Sequence, residues 1–223
     1  AATIELIETQ VGGFYDPDTD SFSLMDKCSK AVAPIILAHE LDHALDDQLF
    51  GIDQKLLPIA HLTDRATAMA AVVEGSGMNV MTQWQKKYGG TIDIAGMTEM
   101  QAEAQAGLAD APMWMWKPLL GVYMRGSCFL ARTDNLMTGL MQAVPSADIR
   151  QAFESPPLST EQVLHPEKYL AREEPRGVAG STAPRGGRLV QEGVLGEALT
   201  RTLLGEGGEA AAAGWGGDLY QVW

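Results

Sequence analysis

Two histidines four residues apart, with a glutamate directly after the first, are the side chains best placed to do chemistry: His39-Glu40-Leu41-Asp42-His43. They lie in an apolar, helix-compatible run from about Ala31 to Phe50. On a helix, residues four apart stack one turn above each other, about 5–6 Å between Cβ atoms. His39 and His43 can therefore aim two imidazoles at one point, as a tetrahedral zinc requires. Glu40 can reach a water on such a metal without being a ligand itself. Zinc lowers the pKa of that water from about 15.7 to about 7, so a carboxylate can take its proton at neutral pH. This is the working core of metal-dependent peptide hydrolysis.

The same five residues can arise by chance on an amphipathic helix, one histidine in the core and the rest solvated. Against chance, the uncharged lead-in Ile35-Ile36-Leu37-Ala38 predicts a helix buried around the motif. Asp46 and Asp47 follow within a turn of His43, where a carboxylate could accept the other imidazole N–H.

A catalytic zinc site takes three protein ligands and leaves one position open. The pattern His-Glu-x-x-His-x-x-Gly-x-x-His is excluded, because its glycine slot holds Asp46 and its last histidine slot holds Leu49. The alternative is a glutamate from a later helix. Glu74 lies 31 residues after His43 and is the only acid between Arg65 and Lys86. A lone carboxylate on a buried apolar helix is costly unless paired or metal-bound. His61 is the rival third ligand, in the connector between the two helices, where a surface histidine is the simpler reading.

The elements that must position these groups can be read in order. Gly12 to Met25 is a β-hairpin around the turn residues Asp16-Pro17-Asp18-Thr19-Asp20, whose aspartates do not complete a calcium-loop pattern. Ser29 can cap the motif helix, Pro34 suits its first turn, and Gly51 ends it. A second helix runs from Ala66 to Tyr88, with Gly75 and Gly77 inside it at a cost to helix propensity. Thr91–Ile94 reads as a short strand and Thr98–Ala109 as a helix. The bulky run Ala111–Trp116 is expected to pack in the core, ahead of an apolar helix Pro118–Arg132. Further helices are expected at 134–143, 146–153, after Ser159, at 194–204 and at 209–213, with a final strand after the Gly214–Asp218 turn. Residues 172–188, rich in Gly, Pro, Arg and Ser, form a flexible loop. The expectation is one domain over residues 1–223, α+β and mostly helical.

Composition bounds the partners. The 223 residues carry 16 Lys and Arg against 29 Asp and Glu, a formal charge of −13, which disfavours nucleic acid or an anionic membrane surface. No run approaches the ~18 uncharged residues of a membrane span. The chain opens on Ala1 and stops in a strand-like segment, so both ends are read as trimmed. Cys28 and Cys128 are expected as two separate buried thiols, with a single bridge open if the protein is exported.

The combination Ala38-His39-Glu40-Leu41-Asp42-His43-Ala44-Leu45-Asp46-Asp47-Gln48 with Val73-Glu74-Gly75 resembles the gluzincin (thermolysin-like) zinc metallopeptidases. It is similar in particular to a group of bacterial neutral zinc metallopeptidase-like proteins. That likeness extends to Gly13–Pro17, to Tyr123, Gly126 and Phe129, to Ser159–Tyr169 and to Gly214–Asp218, so it spans most of the chain. It implies a zincin-like core: an active-site helix, a following glutamate-bearing helix and a small β-sheet. It also implies one Zn2+ on His39, His43 and Glu74, Glu40 as general base, a peptide or protein substrate, and an exported location. Thermolysin-like enzymes add a downstream histidine and tyrosine to stabilise the oxyanion. His165, the only histidine after His61, is the candidate for that role, with Tyr169 and Tyr123 as candidate helpers; a helix stop at Leu164-His165-Pro166 and a core aromatic at Tyr169 are the competing readings. The group often has Glu-Gly-Asp-Ala around the third ligand, whereas here Ser76 and Gly77 follow Gly75. A catalytically silent binding or assembly module on the same fold, and hydrolysis of a non-peptide amide, are the competing expectations.

Overall fold

The structure is a computed structural model. It describes residues 12–16, 19–26, 28, 30, 32–60, 63–89, 98, 102, 105–106, 108 and 111–223. His61, Ser29 and the Thr91–Ile94 piece lie outside these residues, as does most of Thr98–Ala109.

Strands β1 (Gly13–Asp16) and β2 (Ser21–Leu24) form an antiparallel hairpin in the register Gly13↔Leu24 to Asp16↔Ser21. Gly12 and Gly13 let it lie flat on the motif helix. A Cβ on Gly13 would come 2.9 Å from Ser23 O and 3.1 Å from Ile36 Cγ2, and one on Gly12 only 2.7 Å from Ile36 Cδ1.

Helix α1 (Ala33–Phe50) carries the histidines. Pro34 occupies its first turn, where a missing N–H costs nothing. Gly51 stops it in a left-handed conformation at φ 63°, its N–H returned to Asp47 O. A short helix α2 (Ile52–Leu56) follows, and the expected connector from Leu56 to Thr63 holds a 3-10 turn at Leu57–Ile59. Helix α3 (Thr63–Tyr88) follows and runs unbroken through Gly75 and Gly77.

Helix α4 (Met113–Leu130) begins earlier than the sequence suggests, absorbing the Met113–Trp116 run. Met113 and Trp114 of that run are exposed rather than core. Helices α3 and α4 cross at close range through two glycines. A Cβ on Gly126 would fall 1.8 Å from Ala71 O, and one on Gly75 2.5 Å from the Gly126 carbonyl carbon. Only hydrogen fits at such a backbone approach.

The rest is short: α5 (Leu136–Met141), α6 (Ser146–Glu154), α7 (Thr160–Leu164), α8 (Pro166–Leu170), β3 (Gln191–Gly193), α9 (Gly196–Leu204), α10 (Glu209–Ala212) and β4 (Tyr220–Val222). Ser159 caps α7 through the Gln162 N–H, as its residue type predicts. β3 and β4 pair antiparallel. Residues 172–188 contain no helix or strand, yet Arg176 N–H donates to Gly216 O at 2.7 Å, which lays the segment against the 214–218 turn.

The chain is thus α+β and mostly helical. Its core gathers Met69 and Val72 of α3, Phe129 and Leu130 of α4, Phe153 of α6, Val163 of α7 and Tyr169 of α8. Phe153 is fully buried and stacks on Phe50 with ring centroids 4.6 Å apart, a pairing worth about 0.5–1.5 kcal/mol beyond the area it covers. This core fixes α1 and α3 side by side and so sets the site. No helix among the described residues is long and apolar enough to cross a membrane. Cys28 and Cys128 are both free.

Candidate metal centre

His39 and His43 project from successive turns of α1 toward α3, with their rings edge-to-face and centroids 4.4 Å apart. Glu74 reaches back from the middle of α3. Its Oε2 lies 3.1 Å from His39 Nε2 and 3.5 Å from His43 Nε2. The three donor atoms lie within 4.8 Å of one another. Zinc bonds of about 2.0–2.1 Å in a tetrahedron place neighbouring donors roughly 3.3–3.4 Å apart. The two measured spacings straddle that value, and two neutral imidazoles with one carboxylate are a donor set zinc accepts. The group can hold a metal ion.

The electrostatics of the three groups are mutually opposed. Burial works to raise the Glu74 pKa, but the hydrogen bonds from His39 and His43 outweigh it and hold the pKa down to about 2. Burial works to lower the His43 pKa, and the Glu74 hydrogen bond and charge, with Glu40 and Asp42, turn the shift upward.

Glu40 is buried on the same helix. Tyr15 N–H of β1 donates to its Oε2 at 3.1 Å, so the hairpin fixes the carboxylate. Its pKa is raised by burial, with His43 and His39 acting against the rise. Tyr123 of α4 completes the wall. Its ring stacks on His39 at 6.0 Å, and its hydroxyl is raised in pKa by burial, by the charges of Glu74 and Glu40 and by a hydrogen bond to Glu74.

Three sets of residues expected at the site take other partners. His165 sits at the junction of α7 and α8, where its Nε2 is 3.0 Å from Glu197 Oε1. Tyr169 is core: its ring packs against Phe129, and its hydroxyl donates to Ser155 O at 2.8 Å and lies 3.3 Å from Gln151 O. Neither residue bonds to the His39–His43–Glu74 group. Asp46 and Asp47 do not take the imidazole N–H groups either. Both Nδ1 atoms are buried without a hydrogen-bond partner, while Asp47 Oδ1 lies 3.5 Å from Asp53 N.

Asp46 is instead set against Asp42, one turn earlier, and Ser76 of α3 works to lower the pKa of both carboxyls. Burial and the charge of Asp42 push Asp46 up to about 7, and burial raises Asp42 as well. The sequence carried a signal for this pair, since Asp42 and Asp46 repeat the i, i+4 spacing of the histidines on the same helix. Ser76 and Gly77 are what sequence reasoning missed. Gly77 gives the His39 ring its place: a Cβ there would be 2.5 Å from His39 Cε1 and 2.7 Å from its Nδ1.

No protein-family model, curated protein or solved structure matches the chain.

Proposed function

We propose that the chain is a zinc-dependent peptidase of gluzincin type, built on a zincin-like core of α1 and α3. The observation that carries this reading is the convergence of one ligand atom each from His39, His43 and Glu74 within 4.8 Å of one another, with Glu40 buried beside them. His39, His43 and Glu74 would hold the metal. Bound zinc would supply Lewis acidity and bring the pKa of a water from about 15.7 to about 7.

The chain's own groups then divide the proton work. Glu40 accepts a proton from the attacking water and delivers it to the leaving amine, the two-way role of a general base and acid. Tyr15 N–H keeps Oε2 in place, and the other oxygen, Oε1, takes no part in that bond. The upward shift of Glu40 moves it toward the operating pH, where a base that must also return its proton works best. Tyr123 stays protonated through the neutral range because its pKa is raised, so its O–H remains a donor next to the metal ligands. Peptide or protein is the substrate of this reading.

One observation favours a second reading, a catalytically silent binding or assembly module on the same scaffold. Both ligand imidazoles lack an acceptor for Nδ1, the contact that ordinarily fixes tautomer and basicity in zinc sites.

Glu40→Gln separates the two. The peptidase reading expects about one zinc per chain in both forms, and cleavage of a casein or peptide-library substrate in the parent alone. Zinc-loaded parent protein without any turnover supports the silent module.

A further inference from the structure

A cavity of about 480 Å3 opens between α4 and α9, floored by Thr67 and Ala71 of α3 and by Val163 of α7. Its size falls within the ~300–1,000 Å3 usual for small-molecule sites. It is separate from the metal group. Arg125 lines it, and Tyr123, two residues earlier on α4, is turned about 200° around the helix axis toward His39.

The walls are mainly apolar, with Ala71, Pro118, Leu120, Val122, Val163 and Ala198 among them. Two guanidinium groups interrupt this surface, Arg125 from α4 and Arg201 from α9. Neither forms an ion pair among the described residues. The arginines that form ion pairs among the described residues are Arg132 with Asp148 and Arg150 with Glu154. Arg201 Nε is buried without a hydrogen-bond partner. Burial and the charge of Arg201 lower the Arg125 pKa, the mark of two cations set against each other, and the charges of Glu197, Cys128 and Glu209 only partly offset this. Such charge next to apolar walls is costly until an anion joins it.

We propose that this cavity binds an amphiphilic monocarboxylate, its head held between Arg125 and Arg201 and its apolar chain laid along the Pro118, Leu120 and Val163 wall. Planar, forked guanidinium groups match a carboxylate in paired hydrogen bonds. A single negative charge is specified by the mouth, where the exposed Asp134, Glu206 and Glu209 repel a polyanion such as a nucleotide. A free fatty acid and the C-terminus of an apolar peptide share this chemistry.

The test is calorimetric titration of the full chain with sodium decanoate below its micellar concentration, next to decan-1-ol and acetate. A parallel arm compares an apolar pentapeptide carrying a free C-terminal carboxylate with its amide. Decanoate is expected to saturate one site, with decanol and acetate at least tenfold weaker. Arg125→Gln and Arg201→Gln should each weaken decanoate at least tenfold while keeping the melting temperature of the parent. If a glutamine variant fails to fold, Ala198→Trp, which fills the cavity, should abolish binding on its own. A pentapeptide tighter than decanoate, lost on amidation, makes the peptide terminus the source. Decanol binding as tightly as decanoate, folded variants with unchanged affinity, or no saturable binding at millimolar decanoate overturns the proposal. The same affinities are expected with and without zinc, so this result stands or falls apart from the peptidase reading.

Discussion

Gly77 lies against the imidazole of His39 so closely that a single added methyl would sit 2.5 Å from Cε1. The glycine that a helix would ordinarily avoid is therefore the seat of a ligand ring. Gly77→Ala should raise the intrinsic helix preference of α3 by up to ~1 kcal/mol and yet displace His39. The expected outcome is a folded protein of similar melting temperature whose zinc affinity, read by competition with a chromogenic chelator, falls at least tenfold. An unchanged affinity would mean that the ring does not need this seat.

Tyr123 offers a cleaner cut between support and chemistry. Its ring stacks on His39, while its hydroxyl lies next to Glu74. Tyr123→Phe keeps the stack and removes the donor. Zinc content should hold at about one per chain and KM should change little, while kcat drops roughly 10- to 100-fold, the scale expected for one lost transition-state hydrogen bond.

The shifted groups also fix how stability follows pH in the metal-free protein. Asp46 and Asp64 have folded pKa values raised to about 7 and about 6, and Asp42, Glu40 and His43 shift upward too. For each carboxyl, the associated stability is full below its ordinary pKa near ~4 and is lost as pH rises through the folded value. For Asp64 alone this amounts to roughly 2–3 kcal/mol, at about 1.4 kcal/mol per pH unit. Glu74 has the opposite sign: its folded pKa of about 2 gives stability that is present above pH ~4 and lost toward pH ~2. Metal-free protein should accordingly melt higher at pH 5 than at pH 8. Zinc should raise the melting temperature more at pH 8, because His43 must shed its proton to bind metal. Calorimetric scans at the two pH values check both signs, and a metal-free melting temperature that climbs from pH 5 to pH 8 would contradict them.

The crossing of α3 and α4 has no slack. Gly126→Ala places a carbon 1.8 Å from Ala71 O, backbone against backbone, so one helix must shift. A loss of about 2–3 kcal/mol is expected, at the upper end for overpacking, and urea denaturation should show it as a lowered midpoint.

Much of the centre is legible in the sequence because its grammar is local. His39 and His43 share a face by helical spacing alone, and Glu74 declares itself as a lone acid in an apolar helix. Glycine's effect depends on what lies opposite, so Gly77 reads as a cost until α1 is in place against α3. Ser76 likewise reads as a missing aspartate until the chain folds and sets it against Asp42 and Asp46. His165 and Tyr169 take partners outside the metal group for a related reason. Being the last histidine or a nearby tyrosine carries no information about distance, and their partners, Glu197 and the carbonyl of Ser155, lie in separate parts of the chain. The helical bias and the first hairpin follow from pattern, whereas β3 is only three residues long and depends on pairing with β4.

The central claim is that His39, His43 and Glu74 together hold one metal ion. An anomalous difference map recorded at the zinc edge, from crystals grown with one equivalent of zinc, tests it most directly. The account predicts a single strong peak at about 2.0–2.2 Å from His39 Nε2, His43 Nε2 and a Glu74 oxygen, with one coordination position left to solvent. A peak elsewhere, or zinc-saturated protein in which Glu74 still bonds directly to both imidazoles with no density between them, would contradict it.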